Sequence, residues 1–157
     1  MSVACKIVPD ANIIFIHRDA DAEDGMGHHK NEIDEAIRIA QIPILHVPVI
    51  PVQEAEAWLL LDEILIRNVV GNPNGRIPLH LPSPLHVQRI TSPKERLEAI
   101  LLRASEERGR RLAKLKQRLP RLHQQLLEGL NLDGLLRQVP AWQQLERDLK
   151  SVLAQLE

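Results

Sequence analysis

A short apolar run, Ile13-Ile14-Phe15-Ile16, empties through His17 and Arg18 into four carboxylates, Asp19, Asp21, Glu23 and Asp24. β-Branched and aromatic residues that stop at a polar, Gly-containing segment read as a buried strand. In open α/β sheets the space beyond the carboxyl end of such a strand is where ligands bind. Asp19 and Asp21 are two residues apart, so an extended backbone sends both side chains to one face, where they can share one hard cation through oxygen. The chemistry this suggests is magnesium-type metal binding. The same acids would also serve as a solvated turn capping the following helix.

The elements that must position these acids follow at short intervals. His28 to Gln41 places Ile33, Ile37 and Ala40 at helical spacing, and Ile42 to Val52 is a second apolar, β-rich run. Strand, helix and strand with short links make a βαβ unit with parallel strands. Pro43, Pro48 and Pro51 push the second strand towards a sheet edge, because proline donates no ladder hydrogen bond. Glu54 to Val70 carries a broad apolar stripe and reads as one helix, with Trp58 as a core anchor. Residues 71 to 92, rich in Pro and Gly, read as a long loop of the kind that is functional or mobile. Ser92 followed by Pro93 predicts a helix start, Lys94 to Leu119 a helix interrupted at Pro120, and Trp142 to Leu156 a last helix.

The expected fold is therefore α/β: a small parallel, Rossmannoid sheet in residues 1 to 92, including the long loop, and a helical C-terminal region in 93 to 157 packed on it or forming one domain with it. Two parallel strands do not make a stable sheet alone, and Ser2 to Val8 offers one further short strand at most. Completion by a second copy or by a partner subunit is expected.

Composition narrows the function further. With one Phe, two Trp and no Tyr, aromatic stacking on single-stranded bases is not the main binding mode. One cysteine excludes an internal disulfide and any Cys-based zinc cluster. No run reaches the length of a membrane span and no secretory leader is visible, so a cytoplasmic protein with no membrane partner is expected. The net charge of -1 conceals an acidic first part and a basic second one. The basic excess gathers at Arg103, Arg108, Arg110, Arg111, Lys114, Lys116, Arg118 and Arg121, a stripe suited to a phosphate backbone or an acidic partner, or simply to solvent. Neither common Gly-rich phosphate loop is present, which ranks nucleotide binding last.

Three segments together carry a resemblance: Arg18-Asp19-Ala20-Asp21, then Val52-Gln53-Glu54-Ala55-Glu56-Ala57-Trp58-Leu59-Leu60-Leu61-Asp62, then Ser92-Pro93-Lys94-Glu95-Arg96-Leu97. In this order the chain resembles the bacterial domain-of-unknown-function family 4276, related to TOPRIM-like proteins of phage-defence systems. The resemblance implies a TOPRIM-like domain in which Asp19 and Asp21 hold Mg²⁺ or Mn²⁺, with Asp24 as a further ligand, for phosphodiester chemistry of the nuclease type on nucleic acid. It also implies an earlier strand and helix bearing a glutamate acid or base, for which the residues ahead of Ile13 leave no room. Glu54 or Glu56, following the neighbouring strand, would then complete the acid cluster as ligand or base. Lys94 is a candidate phosphate contact, or a first-turn lysine in solvent, and Arg103, Arg110, Arg111, Lys114 and Arg118 are the candidates to carry the nucleic-acid backbone. The alternative is a non-catalytic interaction subunit or homodimer with an incomplete site. Of the adjacent His28 and His29, which diverge on a helix, one is expected in solvent and the other is a candidate for proton transfer.

Overall fold

In the computed structural model residues 11 to 20 and 25 to 156 are described; Asp21 and Asp24 lie outside them. The βαβ unit is present: β1 (Ile13–His17), α1 (Gly25–Ile39) and β2 (Leu45–Val49). The strands pair in parallel from Ile13 opposite Leu45 to His17 opposite Val49. Ile33 and Ile37, four apart on α1, are its buried residues among those described, as the 3.6-residue period requires. Among the described residues the sheet has only these two strands, which leaves β2 one strand neighbour and lets Pro48 sit in it without breaking a second ladder.

The pairing continues past the strands. Arg18 N–H donates to Val49 O at 3.0 Å and Ala20 N–H to Pro51 O at 2.9 Å, while Gln53 N–H donates to Ala20 O at 2.6 Å. Ala20 therefore bridges to Val52, and both are buried.

The predicted helix Glu54 to Val70 is two helices, α2 (Glu56–Leu59) and α3 (Glu63–Val70). The break falls at Asp62, whose backbone is extended and whose Oδ1 accepts the N–H of Leu65 at 2.9 Å. A side chain that caps a new first turn ends the old helix locally. Gly71 closes α3 at φ +82°, with the Asn72 N–H reaching back to Arg67 O at 2.9 Å.

The predicted Lys94 to Leu119 helix is also divided, into α4 (Pro93–Ser105) and α5 (Gly109–Gln117). Glu106 sits at φ +55° because its carboxylate is drawn sideways, accepting the N–H of Arg76 at 2.6 Å and of Ile77 at 2.9 Å. Pro120 does not interrupt a helix; it stands in the first turn of α6 (Leu119–Glu128), where its missing N–H costs nothing. The last helix, α7, runs Pro140–Leu153.

One apolar core joins the chain's two halves. Leu60, Ile66, Leu97, Ile100, Leu101, Leu122, Leu126 and Leu136 are its largest fully buried leucines and isoleucines, and they come from both sides of residue 92. Trp58 is the anchor expected: it is buried edge-on to Trp142 of α7, ring centroids 5.3 Å apart at 89°, a geometry worth about 0.5 to 1.5 kcal/mol beyond burial.

The long loop from 71 to 92 is tied down along its length. The Asn72 amide donates to Ala104 O at 2.9 Å, and Arg67 Nη2 donates to Ile77 O at 2.8 Å. Leu79 and Val87 enter the core. Among the described residues no helix is long and apolar enough to cross a membrane.

Replacing Leu60, fully buried, with Ala should cost about 2 to 5 kcal/mol of unfolding free energy. Ile64→Ala, at a position 75% exposed on the same segment, should change it by less than about 0.5 kcal/mol. Urea titration of both variants checks the core assignment, and equal losses would overturn it.

Candidate functional site

The carboxyl ends of β1 and β2 exit side by side because the Ala20 to Val52 bridge holds them together. Asp19 leaves β1 at this edge with its side chain half exposed, and its Oδ1 lies 3.3 Å from His17 Nε2. Glu54 and Glu56 follow β2 by a few residues, at the same edge.

Glu54 is not in the first turn of its own helix, which begins at Glu56. Its Oε2 accepts the backbone N–H of Lys94 at 3.0 Å, in the first turn of α4. Pro93, the first residue of α4, has no N–H, and the Ser92 side chain makes no cap, so the expected serine cap is replaced by a carboxylate 40 residues upstream. The negative charge also complements the helix dipole there. Gln88 does the same for α7: that helix also starts on a proline, Pro140, and Gln88 Oε1 accepts the N–H of Ala141 at 3.3 Å.

Beside Asp19 lies a denser polar group that the sequence reading did not assemble. Glu32, on the second turn of α1, meets Arg18 Nη1 at 2.7 Å, His28 Nε2 at 3.2 Å and His29 Nδ1 at 2.9 Å. His28 is 72% exposed and His29 only 15%, the division expected of adjacent residues on a helix. The His29 hydrogen bond, with Arg18 and His28 behind it, holds the Glu32 carboxyl below the usual glutamate range. His46 of β2 pairs in turn with Asp34 of α1 at 2.7 Å. The spacing signal was present as His28, His29 and Glu32 at i, i+3 and i+4. The Arg18 contact depends on the sheet and had no local signature.

Among the described residues no three His, Cys, Asp or Glu side chains gather closely enough to hold a metal ion. Asp19 is a hard oxygen donor at a strand exit, Glu56 is half-buried at the start of α2, and Lys94 is exposed.

The basic stripe stands elsewhere. Arg103, Arg110, Arg111, Lys114 and Arg118 are all exposed, and α5 contains four cations and no acid. Among the described residues the one ion pair within the stripe is Arg111 to Glu107 at 3.8 Å. A shallow groove of about 210 Å³ runs here between Val70, Leu115 and the side chains of Arg111, Lys114 and Arg118. Glu54 touches the start of α4 and α5 follows its end, so the two candidate regions are separated by that helix, about 20 Å for thirteen residues.

No protein-family model, curated protein or solved structure matches this chain.

Two outcomes follow from this geometry. Glu54→Ala should lower stability by about 1 kcal/mol in metal-free buffer, since it leaves the start of α4 uncapped; an unchanged urea midpoint would argue against the capping role. The folded Glu32 carboxyl titrates below its unfolded value, so the stability it adds is complete above the ordinary glutamate value of 4.5 and is lost as pH falls through the folded one. Glu32→Gln should therefore lose less stability than wild type between neutral pH and about pH 3.5, measured by denaturant titration at both.

Proposed function

We propose that this chain works on nucleic acid, holding the phosphate backbone along α5 and carrying TOPRIM-like, metal-dependent phosphodiester chemistry at the carboxyl edge of β1 and β2. The observation that carries the reading is α5, a helix whose four charges are all positive, nearly all free of acidic neighbours, and all turned to solvent. Such a surface releases counterions when it meets a polyphosphate and draws it in from a distance. The helix that separates α5 from the Glu54 contact is about 20 Å long, the length of about six base-pair steps.

Mg²⁺ or Mn²⁺ would be held by Asp19 with Asp21, and Asp24 as a further ligand, and would supply charge neutralisation and an activated water. The described residues furnish only part of this set, so Asp21 is the ligand on which the catalytic half of the reading turns. Glu54 is committed to α4, which leaves Glu56 the freer of the two glutamates. The phage-defence setting follows from the family resemblance.

A second reading, a non-catalytic interaction subunit or homodimer, is favoured by two observations. Glu54 serves as a helix cap, and among the described residues the sheet stops at two strands with Phe15 60% exposed.

Thermal unfolding in rising Mg²⁺ or Mn²⁺ separates the two. The catalytic reading expects the midpoint to climb in wild type and to stay fixed in Asp19→Asn with Asp21→Asn. A wild-type midpoint indifferent to both ions favours the interaction subunit. For the backbone contact, Arg110→Glu with Lys114→Glu should weaken duplex binding and reduce the log-log salt slope by about 1 for each phosphate contact removed.

A further inference from the structure

The groove of about 210 Å³ beside α5 is made of three cations over an apolar floor. Arg111, Lys114 and Arg118 stand three and four positions apart, a spacing that brings them to one side of a helix. Val70 of α3 and Leu115 of α5 form the floor, and Glu107 is the one acid in the lining. Among the described residues Lys114 and Arg118 have no side-chain hydrogen bond or ion pair, and Arg111 meets Glu107 only at 3.8 Å. The helix itself does not call for these charges. Its dipole accounts for Lys114 and Lys116 in the last turn. Arg110 and Arg111 oppose that dipole from the first turn, which holds no acid, and the residue before it, Arg108, makes no side-chain cap. Arg110 with Lys114, and Lys114 with Arg118, are like charges four apart and repel. An anion in the groove relieves both conflicts.

We propose that the groove seats a phosphate monoester, the phosphorylated end of a nucleic-acid strand. The inference rests on the nucleic-acid reading and names the part of the substrate that α5 grips. Three cations against one acid leave the lining a net charge of +2. A monoester carries about -1.5 to -2 at neutral pH and three terminal oxygens, one for each cationic side chain. An internal phosphodiester carries a single charge and two free oxygens, so it leaves part of the lining unanswered. Either arginine can hold two of the oxygens in its fork, with the lysine as a point charge on the third. The floor points the same way. A backbone running through the groove would lay further charge over Val70 and Leu115, whereas at a strand end the carbons of the terminal sugar can cover them. The volume, below the roughly 300 Å³ where drug-sized pockets begin, suits one phosphate with its sugar rather than a length of strand.

The test is anisotropy titration of the full chain, in low-salt buffer with EDTA, against short duplexes of one sequence ending in 5′-phosphates, 3′-phosphates or hydroxyls only. EDTA removes divalent ions, so no metal at the strand exits contributes. At least one phosphorylated duplex should bind about threefold or more tighter than the hydroxyl duplex. Inorganic phosphate should erase that difference where chloride at equal ionic strength does not. Arg118→Gln should bring the ratio to about one, while Lys116→Gln, outside the groove on the same helix, should weaken all three duplexes and keep the ratio. No end preference in wild type overturns the inference, and so does a ratio that Lys116→Gln lowers as much as Arg118→Gln. A nucleoside 5′-monophosphate that binds as tightly as the phosphorylated duplex overturns the strand-end assignment in favour of a free nucleotide. Binding of the hydroxyl duplex is the separate readout: where it persists without an end preference, the nucleic-acid reading stands and this inference alone fails.

Discussion

A parallel pair of strands has no hairpin to close it and cannot cover its own faces, and most of this architecture answers that constraint. α7 packs beside β2, and α1 is tied to the strand pair through Arg18 with Glu32 and His46 with Asp34, with the Lys30 to Asp148 ion pair joining the two helices. The bridge from Ala20 to Val52 then carries the pairing beyond the strands into the turn before α2. The alignment of the strand exits, on which any chemistry at that edge depends, is thus fixed by backbone hydrogen bonds, and the helical half buttresses it.

The two halves are joined by polar as well as apolar means. Glu54 and Gln88 each accept from the first amide after the proline that opens a helix, Lys94 in α4 and Ala141 in α7. Arg67 does comparable work for the long loop, reaching Glu63 at 2.8 Å and Ile77 O at 2.8 Å, with Glu106 at 3.9 Å. A Cβ at Gly75 would fall 2.4 Å from the Arg67 guanidinium and 2.9 Å from Glu106 Oε1, so a side chain there displaces the groups that hold this loop. A segment rich in proline and glycine is thereby made a fixed connector.

What the chain's spelling revealed, and what it did not, divides along the range of the interactions. The strand at Ile13, the helix bearing Ile33 and Ile37, the strand through Val47 and the burial of Trp58 were legible, since each is a local period of apolar residues; the expected burial of the first strand was not met, Phe15 being 60% exposed. Two breaks were not. Asp62 could be read as a cap only once the Leu59 to Leu61 run was known to end a helix, and the turn at Glu106 answers amides thirty residues away. For the candidate site, the exits carrying Asp19 and Glu54 could be placed at one edge from topology alone. The use of Glu54 on α4 was hidden, because nothing near it in the chain announces a partner 40 positions on. The meeting of Arg18 with Glu32 was hidden for the same reason.

The proline-started helices carry a kinetic implication. Their finishing contacts span 40 and 53 positions, so loop closure must be achieved before those helices are complete, a feature that slows folding relative to bundles built from near neighbours. Synthesis from the N-terminus relieves the problem. Glu54 and Gln88 leave the ribosome ahead of the amides they serve, so the acceptors are waiting when α4 and α7 emerge.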